Sequence, residues 1–458
     1  MGRHERNRGP SSISVIGLGK LGFPFAVCWA SRGFRVLGVD TNPQIVNALS
    51  EGRNPYHEPG LDKLLKKERG RICGTDDYAY ATKHSDVTFI IVPTPSEADG
   101  SFSNRFVEDA LKPIADSLRE KDSFHLVTVT STVLPGSMET NFKPLIEKIS
   151  GKRCGTDFGL CYNPEFIALG DVVNGLLTPD FILIGESDTR SGSLLAKMYR
   201  RFCQNNPPIS RMSLCNAELT KISLNVYVTM KMTFANTLAA ICERIPGGNV
   251  DDVSNALGLD SRIGRKYLTG GLSYGGPCFP RDNRAYSYVT RQVGYQAKVS
   301  EVVDEVNKDQ IDRVSQRVTD ILGEPSASTI SILGLTYKPK TNIIEESAAL
   351  ILVQSLLNRG AKVQVYDRLG MENARQILGD RAAYSPSAEE CLKNADLCII
   401  ATPWEEFRNL KPSDFTNNMK HAVVLDCWRI LDPSKFVGYP GLKYLAVGMN
   451  ISANREPS

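Results

Sequence analysis

The sequence predicts an α/β protein in which two doubly wound domains are joined by a long central helix. Short apolar runs alternate with helical segments over the first 210 residues, and the same alternation returns after about residue 330. Such alternation is typical of parallel sheets with helices on both faces. Between these parts, helical patterns cover residues 217–245 and 300–322. We therefore expect three regions, at residues 1–210, 211–322 and 323–458.

Nine short apolar runs are expected to be strands. In the first region they lie at residues 13–16, 35–39, 87–92, 126–129 and 159–162. In the last region they lie at residues 330–335, 362–366, 397–401 and 422–425, after a Gly-Glu-Pro-Ser linker at 323–326. The two α/β regions resemble each other in this pattern only, because no motif of the first recurs in the last.

The composition is that of an ordinary soluble globular protein. Lysine and arginine total 54 against 51 acidic residues, and no basic stripe indicates nucleic-acid binding. Five histidines disfavour a histidine-rich site, so we expect no metal. No apolar run approaches the roughly 20 residues of a membrane helix, and the polar amino terminus lacks a signal-peptide core. Eleven cysteines without a C-x-x-C pair favour free thiols in a reducing, cytoplasmic setting.

A glycine-rich motif follows the first expected strand. Gly17, Gly19 and Gly22 form G-x-G-x-x-G between a strand and a helix, and Asp40 ends the next strand. The first two glycines permit a tight turn beside a pyrophosphate, and the third lets the helix pack on the sheet. An acidic residue at this spacing accepts hydrogen bonds from ribose hydroxyls and repels a 2′-phosphate, which favours NAD over NADP. We expect a Rossmann-like domain whose cofactor-binding residues include Gly17, Gly19, Lys20, Leu21, Gly22 and Asp40.

The last α/β region is expected to be Rossmann-like as well. Gly334 lies at the end of its first strand-like run but begins no G-x-G-x-x-G motif. We therefore expect this region to bind something other than a second dinucleotide.

One of the eleven cysteines differs from the rest. Cys278 lies in Tyr-Gly-Gly-Pro-Cys-Phe-Pro-Arg-Asp at residues 274–282, where glycines and prolines fix the backbone and leave room for a substrate. The residues alone leave two possibilities open, a reactive nucleophile or a packed turn. The other ten cysteines lie in apolar or helical contexts, and we expect them to be small buried hydrophobic residues.

The cysteine segment resembles the signature loop of the UDP-glucose/GDP-mannose dehydrogenase family, and the similarity extends in order over nearly the whole chain. Thr-Ser-Thr-Val at 130–133 resembles the family's water-binding strand end, and Tyr-Asn-Pro-Glu-Phe at 162–166 resembles its catalytic-glutamate loop. Residues 216–225 resemble the central helix with its lysine and asparagine. Residues 260–264 resemble the segment that lends an arginine to the neighbouring subunit, and residues 334–339 resemble the opening of the nucleotide-binding part.

The resemblance implies an enzyme that oxidises the C6 alcohol of a nucleotide sugar to a carboxylate and uses two NAD. It implies that Cys278 attacks the intermediate aldehyde to form a thiohemiacetal, which the second oxidation converts to a thioester. It also implies that Lys221 and Asn225 stabilise negative charge on the substrate oxygen. The first region would then bind NAD, the central region would carry the catalytic loop and a dimer contact, and the last region would bind the nucleotide sugar.

The resemblance further implies how the thioester is hydrolysed and how the ligands are held. Glu165 would act as general base on a water held near Thr132 and Asp282. Thr94 and Thr132 would contribute to the NAD site. Without the resemblance, Lys221 could be a solvated helix residue and Asp282 a helix N-cap. The implied substrate-binding residues are Glu165, Phe166, Lys221, Asn225, Arg262, Tyr267, Tyr274, Gly275, Lys338 and Arg429.

A homodimer or higher homo-oligomer is also expected. If Arg262 completes a neighbour's site, as the resemblance implies, a second copy must lie close by. The central helix carries Val226, Met230 and Phe234 at helical spacing. This row could be a subunit interface, or it could be core between the two α/β domains.

The substrate expected first is UDP-glucose, which would give UDP-glucuronate for polysaccharide biosynthesis. UDP-N-acetylhexosamine and GDP-mannose stay open, because Glu345 stands where many family members have arginine. A single-step β-hydroxyacid dehydrogenase would share the NAD domain and a lysine on a long helix, but it has no need of Cys278. A third alternative is a catalytically inactive NAD-binding protein, against which the intact set of candidate catalytic residues argues.

Overall fold

The computed structural model describes residues 10–323, 326 and 328–451. The chain divides into two compact units, residues 1–223 and 224–458, and the boundary falls inside the long central helix. Part of the expected linker (residues 324 and 325) and most of the polar amino terminus lie outside the described residues. Within the described part of the chain, no helix combines the length and the apolar character that membrane crossing requires.

The first unit contains an eight-stranded sheet with helices on both faces. Its strands are β1 (Ser12–Ile16), β2 (Arg35–Val39), β3 (Ile72–Thr75), β4 (Val87–Ile90), β5 (His125–Val129), β6 (Phe158–Tyr162), β7 (Ile182–Glu186) and β8 (Ile209–Ser213). Its helices are α1 (Gly22–Ser31), α2 (Pro43–Glu51), α3 (Leu61–Glu68), α4 (Tyr78–Lys83), α5 (Arg105–Arg119), α6 (Lys143–Ser150), α7 (Val172–Leu177) and α8 (Thr189–Phe202). The central helix α9 (Leu214–Cys242) begins here and continues into the second unit.

The strand order of this sheet confirms the expected doubly wound class. The order is β3-β2-β1-β4-β5-β6-β7-β8, and its first six strands are parallel in the order typical of nucleotide-binding sheets. One difference is that β7 pairs antiparallel with β6. The strands β3, β7 and β8 are additional to the expected ones. In β8 no residue is buried, so the edge strand lacks the apolar run that marks the others.

The second unit contains a six-stranded sheet in which all neighbours are parallel, in the order β11-β10-β9-β12-β13-β14. Its strands are β9 (Thr329–Leu333), β10 (Lys362–Tyr366), β11 (Ala383–Tyr384), β12 (Leu397–Ile400), β13 (Ala422–Asp426) and β14 (Leu442–Ala446). Its helices are α10 (Val250–Gly258), α11 (Phe279–Gln292), α12 (Lys298–Leu322), α13 (Ala348–Asn358), α14 (Met371–Leu378), α15 (Ala388–Leu392), α16 (Pro412–Asn418) and α17 (Pro433–Phe436).

In each sheet the first strand in the chain is followed by a turn of the same kind, a similarity that the sequence pattern did not reveal. The N–H of Gly17 donates to the last residue of β2 at 2.8 Å, and the N–H of Gly334 donates to the last residue of β10 at 2.7 Å. Both glycines have φ near +90°, where a side chain is strained. An aspartate, Asp40 or Asp367, follows the neighbouring strand in each case. The expectation that no motif residue recurs between the halves is therefore wrong.

Aromatic side chains fill the core of the first unit and anchor one of its loops. Trp29 of α1 stacks on Phe202 of α8 with ring centroids 4.1 Å apart, and Tyr199 packs edge-on against Trp29 at 5.4 Å. Large buried rings of this kind contribute strongly to core stability. The hydroxyl of Tyr199 donates to the side chain of Asn163, just after β6. The loop that follows β6 is thus tied to the core.

Cysteine burial differs from expectation at three positions. Seven of the ten cysteines other than Cys278 are buried, but Cys73 and Cys215 are exposed and Cys154 is half-buried. Cys73 lies on the outer strand β3, where alternate side chains face solvent, and Cys215 lies in the first turn of α9. Cys278 is exposed, as a nucleophile requires.

Candidate active site

The glycine-rich loop connects β1 to α1. A Cβ on Gly22 would lie 1.9 Å from the carbonyl oxygen of Gly17, so only glycine fits there. A Cβ on the exposed Gly19 would meet no atom within 4 Å, which leaves space above the loop. Leu21 occupies the N-cap position of α1 and its side chain offers no acceptor there, and the partial positive charge at the start of the helix favours an anion. These residues, with the exposed Lys20 beside them, fit the pyrophosphate of NAD.

Asp40 holds this loop and keeps capacity for a ribose. Its Oδ2 accepts from the N–H of Leu18 at 2.7 Å, and its Oδ1 accepts from the N–H of Asn42 at 2.8 Å. The residue is half-buried, and each carboxylate oxygen can accept a further hydrogen bond. Its counterpart Asp367 is 1% exposed and accepts from five donor groups of its own surroundings besides the indole of Trp404. Only the first of these carboxylates can receive a ribose.

The ends of β4 and β5 are joined next to this loop. The hydroxyl of Thr94 donates to the carbonyl oxygen of Thr132 at 2.7 Å. The turn after Thr132 is held by Glu218 of α9, whose buried carboxylate accepts from the N–H groups of Gly136 and Met138 at 2.7 and 2.8 Å. No sequence motif marked Glu218. The two threonines therefore lie together, and a side chain of the central helix fixes the segment that carries one of them.

The loop after β6 brings Glu165, Phe166 and Lys221 together. Lys221 of α9 donates to the carbonyl oxygen of Glu165 at 2.7 Å, and its Nζ lies 4.7 Å from the ring centroid of Phe166. Lys221 is only 8% exposed, so it is not a solvated helix residue. The hydroxyl oxygen of Tyr199, whose proton is directed to Asn163, lies 3.4 Å from the Glu165 carboxylate. Desolvation raises the pKa of Glu165 to about 7, although the charge of Lys221 opposes this shift.

Cys278 and Asp282 lie in the first turn of α11. Cys278 occupies the N-cap position, and its carbonyl oxygen accepts from the N–H of Asp282 at 2.8 Å. The N-terminus of a helix carries partial positive charge, and the thiol lies at that end of α11. The Asp282 carboxylate is fully buried and accepts from Asn225 Nδ2 at 2.6 Å and from Arg281 Nε at 3.2 Å. Asp282 is therefore a buried hydrogen-bond acceptor and not a helix N-cap.

The glycines before Cys278 permit close packing. A Cβ on Gly275 would lie 2.0 Å from a neighbouring backbone oxygen, and a Cβ on Gly276 would lie 2.6 Å from the ring of Tyr337. The N–H of Gly276 donates to the carbonyl oxygen of Glu345 at 3.1 Å. Burial first, and the neighbouring Cys278 second, raise the pKa of Tyr337. Tyr337 thus packs on Gly276, two residues before the thiol, and its place in the segment at residues 334–339 was the only sequence signal for it.

Two further tyrosines surround Phe279, the residue after the thiol. The rings of Tyr267 and Tyr274 meet that of Phe279 edge-on, with centroids 6.4 and 6.2 Å apart. Tyr267 has φ +66° and is 48% exposed, whereas Tyr274 is buried. A strained, exposed aromatic residue at this position is compatible with a ligand contact.

Arg262 and Lys338, two of the basic residues expected to bind the substrate, have different surroundings. The guanidinium of Arg262 is exposed and pairs with the carboxylate of Asp260 at 2.5 Å. The two residues lie in a turn that precedes the Cys278 loop in the chain. The Nζ of Lys338 lies 5.8 Å from the centroid of the adjacent Tyr337 ring. Their roles toward a substrate stay predictions.

Arg429 is buried among partners of its own unit. Its Nε and Nη2 pair with the carboxylate of Asp251 at 2.7 and 3.0 Å. It also donates to the carbonyl oxygens of Val447 at 2.6 Å and Gly270 at 2.8 Å. Its φ of +54° is unusual for a residue with a side chain. This geometry joins α10, the C-terminal sheet and the loop that leads to Cys278, and the expected substrate contact of Arg429 stays a prediction.

The fold and the glycine-rich loop define an NAD-binding α/β oxidoreductase, and comparison with known proteins gives the family. Three family models match the chain in order: the NAD binding domain of the UDP-glucose/GDP-mannose dehydrogenase family at residues 11–203, its central domain at 215–309 and its UDP binding domain at 331–433. The chain therefore belongs to the UDP-glucose/GDP-mannose dehydrogenase family, whose enzymes are NAD-dependent nucleotide-sugar 6-dehydrogenases.

Individual relatives cover nearly the full chain. The UDP-glucose 6-dehydrogenase AglM of Haloferax volcanii is 36% identical over 94% of this chain and 99% of its own length. The GDP-mannose 6-dehydrogenase of Pseudomonas aeruginosa is 34% identical over 91% of this chain and 100% of its own length. The solved structure of a UDP-glucose dehydrogenase from Pyrobaculum islandicum matches with a TM-score of 0.88 at 34% identity, over 97% of this chain and 99% of that one.

Replacement of Asp40 should weaken NAD binding and its selectivity. In Asp40→Asn, one acceptor that faces a backbone N–H becomes a donor, and the charge that repels a 2′-phosphate is lost. Hydrogen bonds to charged groups contribute about 1.5–3 kcal/mol, so we expect the Kd for NAD to rise about 10- to 100-fold and the preference over NADP to narrow. Titration of both cofactors measures this. Asp116→Asn, which removes the same charge from an exposed helix position, should leave both affinities unchanged. An unaltered Kd for NAD in Asp40→Asn would contradict the assignment.

Proposed function

We propose that this protein oxidises the C6 alcohol of UDP-glucose to the carboxylate of UDP-glucuronate, with two NAD consumed for each sugar. The observation that carries the proposal is the exposed thiol of Cys278 at the N-terminus of α11, next to the buried Asp282. An alcohol-to-aldehyde oxidation alone needs no nucleophile, whereas a four-electron oxidation gains from one. The matched UDP binding domain and the relatives named UDP-glucose 6-dehydrogenase support the substrate. GDP-mannose is the second candidate, because a relative of that name is 34% identical.

The thiol acts in the second half of the reaction. The sulfur of Cys278 bonds to the carbon of the C6 aldehyde, and the carbonyl oxygen gains the thiol proton, which gives a thiohemiacetal. Loss of a hydride and a proton then leaves a thioester. Water adds to the thioester carbon, the carbon–sulfur bond breaks, and the carboxylate and the thiol are formed. NAD, when bound, supplies the hydride acceptor for each of the two oxidations.

Lys221 and Asn225 are proposed to stabilise negative charge on the substrate oxygen. The two residues lie one turn apart on α9 and therefore share a face of the helix. Lys221 is held by the carbonyl oxygen of Glu165, and Asn225 is held by the carboxylate of Asp282. Because both side chains are fixed before any ligand arrives, they need little reorganisation when charge develops.

Glu165 is proposed as the general base for hydrolysis. A base works best when its pKa lies near the operating pH, and burial brings the pKa of Glu165 to about 7. Thr132 and Asp282 are proposed to hold the water, and Thr94 to hold the carbonyl oxygen of Thr132 in place. In the C-terminal unit, the carboxylate of Asp367 is fully occupied by donors of its own surroundings and leaves no ribose acceptor for a second dinucleotide. Lys338 of the same unit is proposed to contact the nucleotide sugar instead.

A homodimer is proposed to form along α9. Val226, from the expected row, is 7% exposed and belongs to the interior of its unit, whereas Phe234 is 50% exposed. Phe234 lies in a different row with Tyr227 and Ile241, which are 55% and 46% exposed and seven residues from it on either side. Seven-residue spacing of apolar side chains is typical of helix-to-helix contact. The exposed Arg262 would then be available to a neighbouring copy, as the family resemblance implies.

The thiol assignment predicts the effect of Cys278→Ser. A hydroxyl without an activating base is a poor nucleophile, so carboxylate formation should fall by more than about a thousandfold. Wild-type enzyme should give two NADH for each UDP-glucose, measured by absorbance against the sugar consumed. Cys215→Ser, which changes another exposed thiol, should retain both rate and ratio. Retention of most activity by Cys278→Ser would instead favour a single-step dehydrogenase.

The pKa of Glu165 predicts the pH dependence of the hydrolysis. Below about pH 7 the carboxyl group is protonated and cannot accept a proton, so kcat should rise with pH through about 7. Glu165→Gln should remove this rise, lower kcat by about 10²–10⁴ and leave a sugar thioester on Cys278 that mass spectrometry detects after acid quenching.

A second carboxyl group, that of Glu218, could produce the same pH dependence, so the Glu165→Gln variant is needed to tell the two groups apart. Burial also raises the pKa of Glu218 to about 7, so a rise of kcat near neutrality could come from either group. If the rise persists in Glu165→Gln without an accumulated thioester, Glu165 is not the base. Glu120→Gln, at an exposed position, serves as the control and should show the wild-type profile.

The proposed dimer contact predicts the effect of charge at Phe234. Central apolar residues of an interface typically contribute 2–4 kcal/mol, so Phe234→Asp should raise the dimer Kd about 30- to 1,000-fold, as measured by light scattering over a dilution series. Activity should fall in parallel if Arg262 acts across the contact. Tyr80→Asp, at an exposed site of the first unit, should leave the oligomeric state unchanged. An unchanged mass for Phe234→Asp would rule out this row as the interface.

A further inference from the structure

The chain that leads to Cys278 is buried although it belongs to no helix or strand. Residues 270–276 are all buried and have no regular secondary structure. Buried N–H and C=O groups must find hydrogen-bond partners, because each one left unsatisfied costs about 1–3 kcal/mol. Regular ladder hydrogen bonds are not available to this loop, so its backbone depends on side chains around it.

Amide side chains of two helices supply many of these partners. Asn307 of α12 binds Tyr274 twice: its Oδ1 accepts from the N–H at 2.9 Å, and its Nδ2 donates to the carbonyl oxygen at 3.0 Å. Gln310, one turn further along α12, donates to the carbonyl oxygen of Gly271 at 2.5 Å. Asn236 of α9 accepts from the N–H of Gly271 at 2.9 Å. Asn307 and Gln310 are 8% and 5% exposed, so water does not compete for them.

The position of Tyr274 determines how the chain enters α11. Its backbone is held by Asn307, its hydroxyl accepts from Asn283 of α11 at 3.1 Å, and its ring packs on Phe279. Phe279 is the first residue of α11 and directly follows Cys278. A displacement of Tyr274 would therefore move the first turn of α11, which carries the thiol, relative to anything bound beside it.

We propose that Asn307 and Gln310 are positioning residues that hold this loop so that Cys278 captures the aldehyde before it leaves the enzyme. The inference rests on the proposed function, in which the thiol of Cys278 adds to the aldehyde carbon and its proton passes to the carbonyl oxygen. The first oxidation needs no thiol. A loosened loop should therefore slow the capture more than the first oxidation, and the intermediate aldehyde should escape.

The test measures how the intermediate partitions. Asn307→Leu keeps a similar shape and removes both hydrogen bonds to Tyr274. With the full chain, UDP-glucose and NAD, we expect NADH formed per sugar to fall from two toward one, and semicarbazide to trap free aldehyde during turnover. The kcat for carboxylate should fall about tenfold or more, and the KM for NAD should stay within about twofold. Gln316→Leu removes an exposed amide from the same helix and should keep a ratio of two.

The partition ratio separates positioning from a loss of folded enzyme, because unfolded molecules contribute to neither product. A ratio of two without trapped aldehyde in Asn307→Leu would overturn the inference and leave the proposed function intact. A ratio of one in the wild-type enzyme would overturn the proposed function itself.

A second variant decides the case in which Asn307→Leu does not fold. Asn307→Asp keeps the acceptor for the N–H of Tyr274 and places a second acceptor against its carbonyl oxygen. Protonation of the new carboxyl group restores the donor, so aldehyde release should appear at neutral pH and diminish as the pH falls. A ratio of two at every pH would count against Asn307 as a positioning residue.

Discussion

The hydrogen bond between Asn225 and Asp282 is the interaction on which the thiol site depends. A fully buried carboxylate is costly unless donors satisfy it, and Asn225 and Arg281 supply those donors. Asp282 lies one helical turn after Cys278, so the position that satisfies the carboxylate also fixes the start of α11 and the thiol at its N-cap. The same hydrogen bond fixes the side chain of Asn225 on α9. One buried carboxyl group thus links the packing of α9 to the start of α11.

Carboxylates also hold the turns at the strand ends in both halves of the protein. Asp40 and Asp367 accept N–H groups from the turn after the first strand of their sheets, and Glu218 accepts N–H groups from the turn after Thr132. The surroundings of each carboxylate determine whether it can accept further hydrogen bonds. Asp40 is half-buried and keeps acceptor capacity for a ribose, whereas Asp367 is saturated by its own unit. This difference agrees with the match of residues 11–203 to an NAD binding domain and of residues 331–433 to a UDP binding domain.

The loop around Glu345 shows how a change of residue can leave a contact intact. The side chain at this position differs from the arginine that many family members carry. In the structure the residue acts on the thiol loop through its backbone: its carbonyl oxygen accepts from the N–H of Gly276. Any amino acid offers that carbonyl group, so this hydrogen bond does not depend on the exposed side chain of Glu345.

The sequence by itself determined the fold class and the NAD loop, and it set Cys278 apart from the other cysteines while leaving its role open, because these signals are local in the chain. Apolar periodicity marked most strands, and the spacing from Gly17 to Asp40 marked the cofactor site. Tertiary structure decided the rest. The contact of Asn307 with the thiol loop joins residues 33 positions apart and has no local signal. The pKa of Glu165 depends on burial, and burial is a property of packed neighbours that no short segment contains.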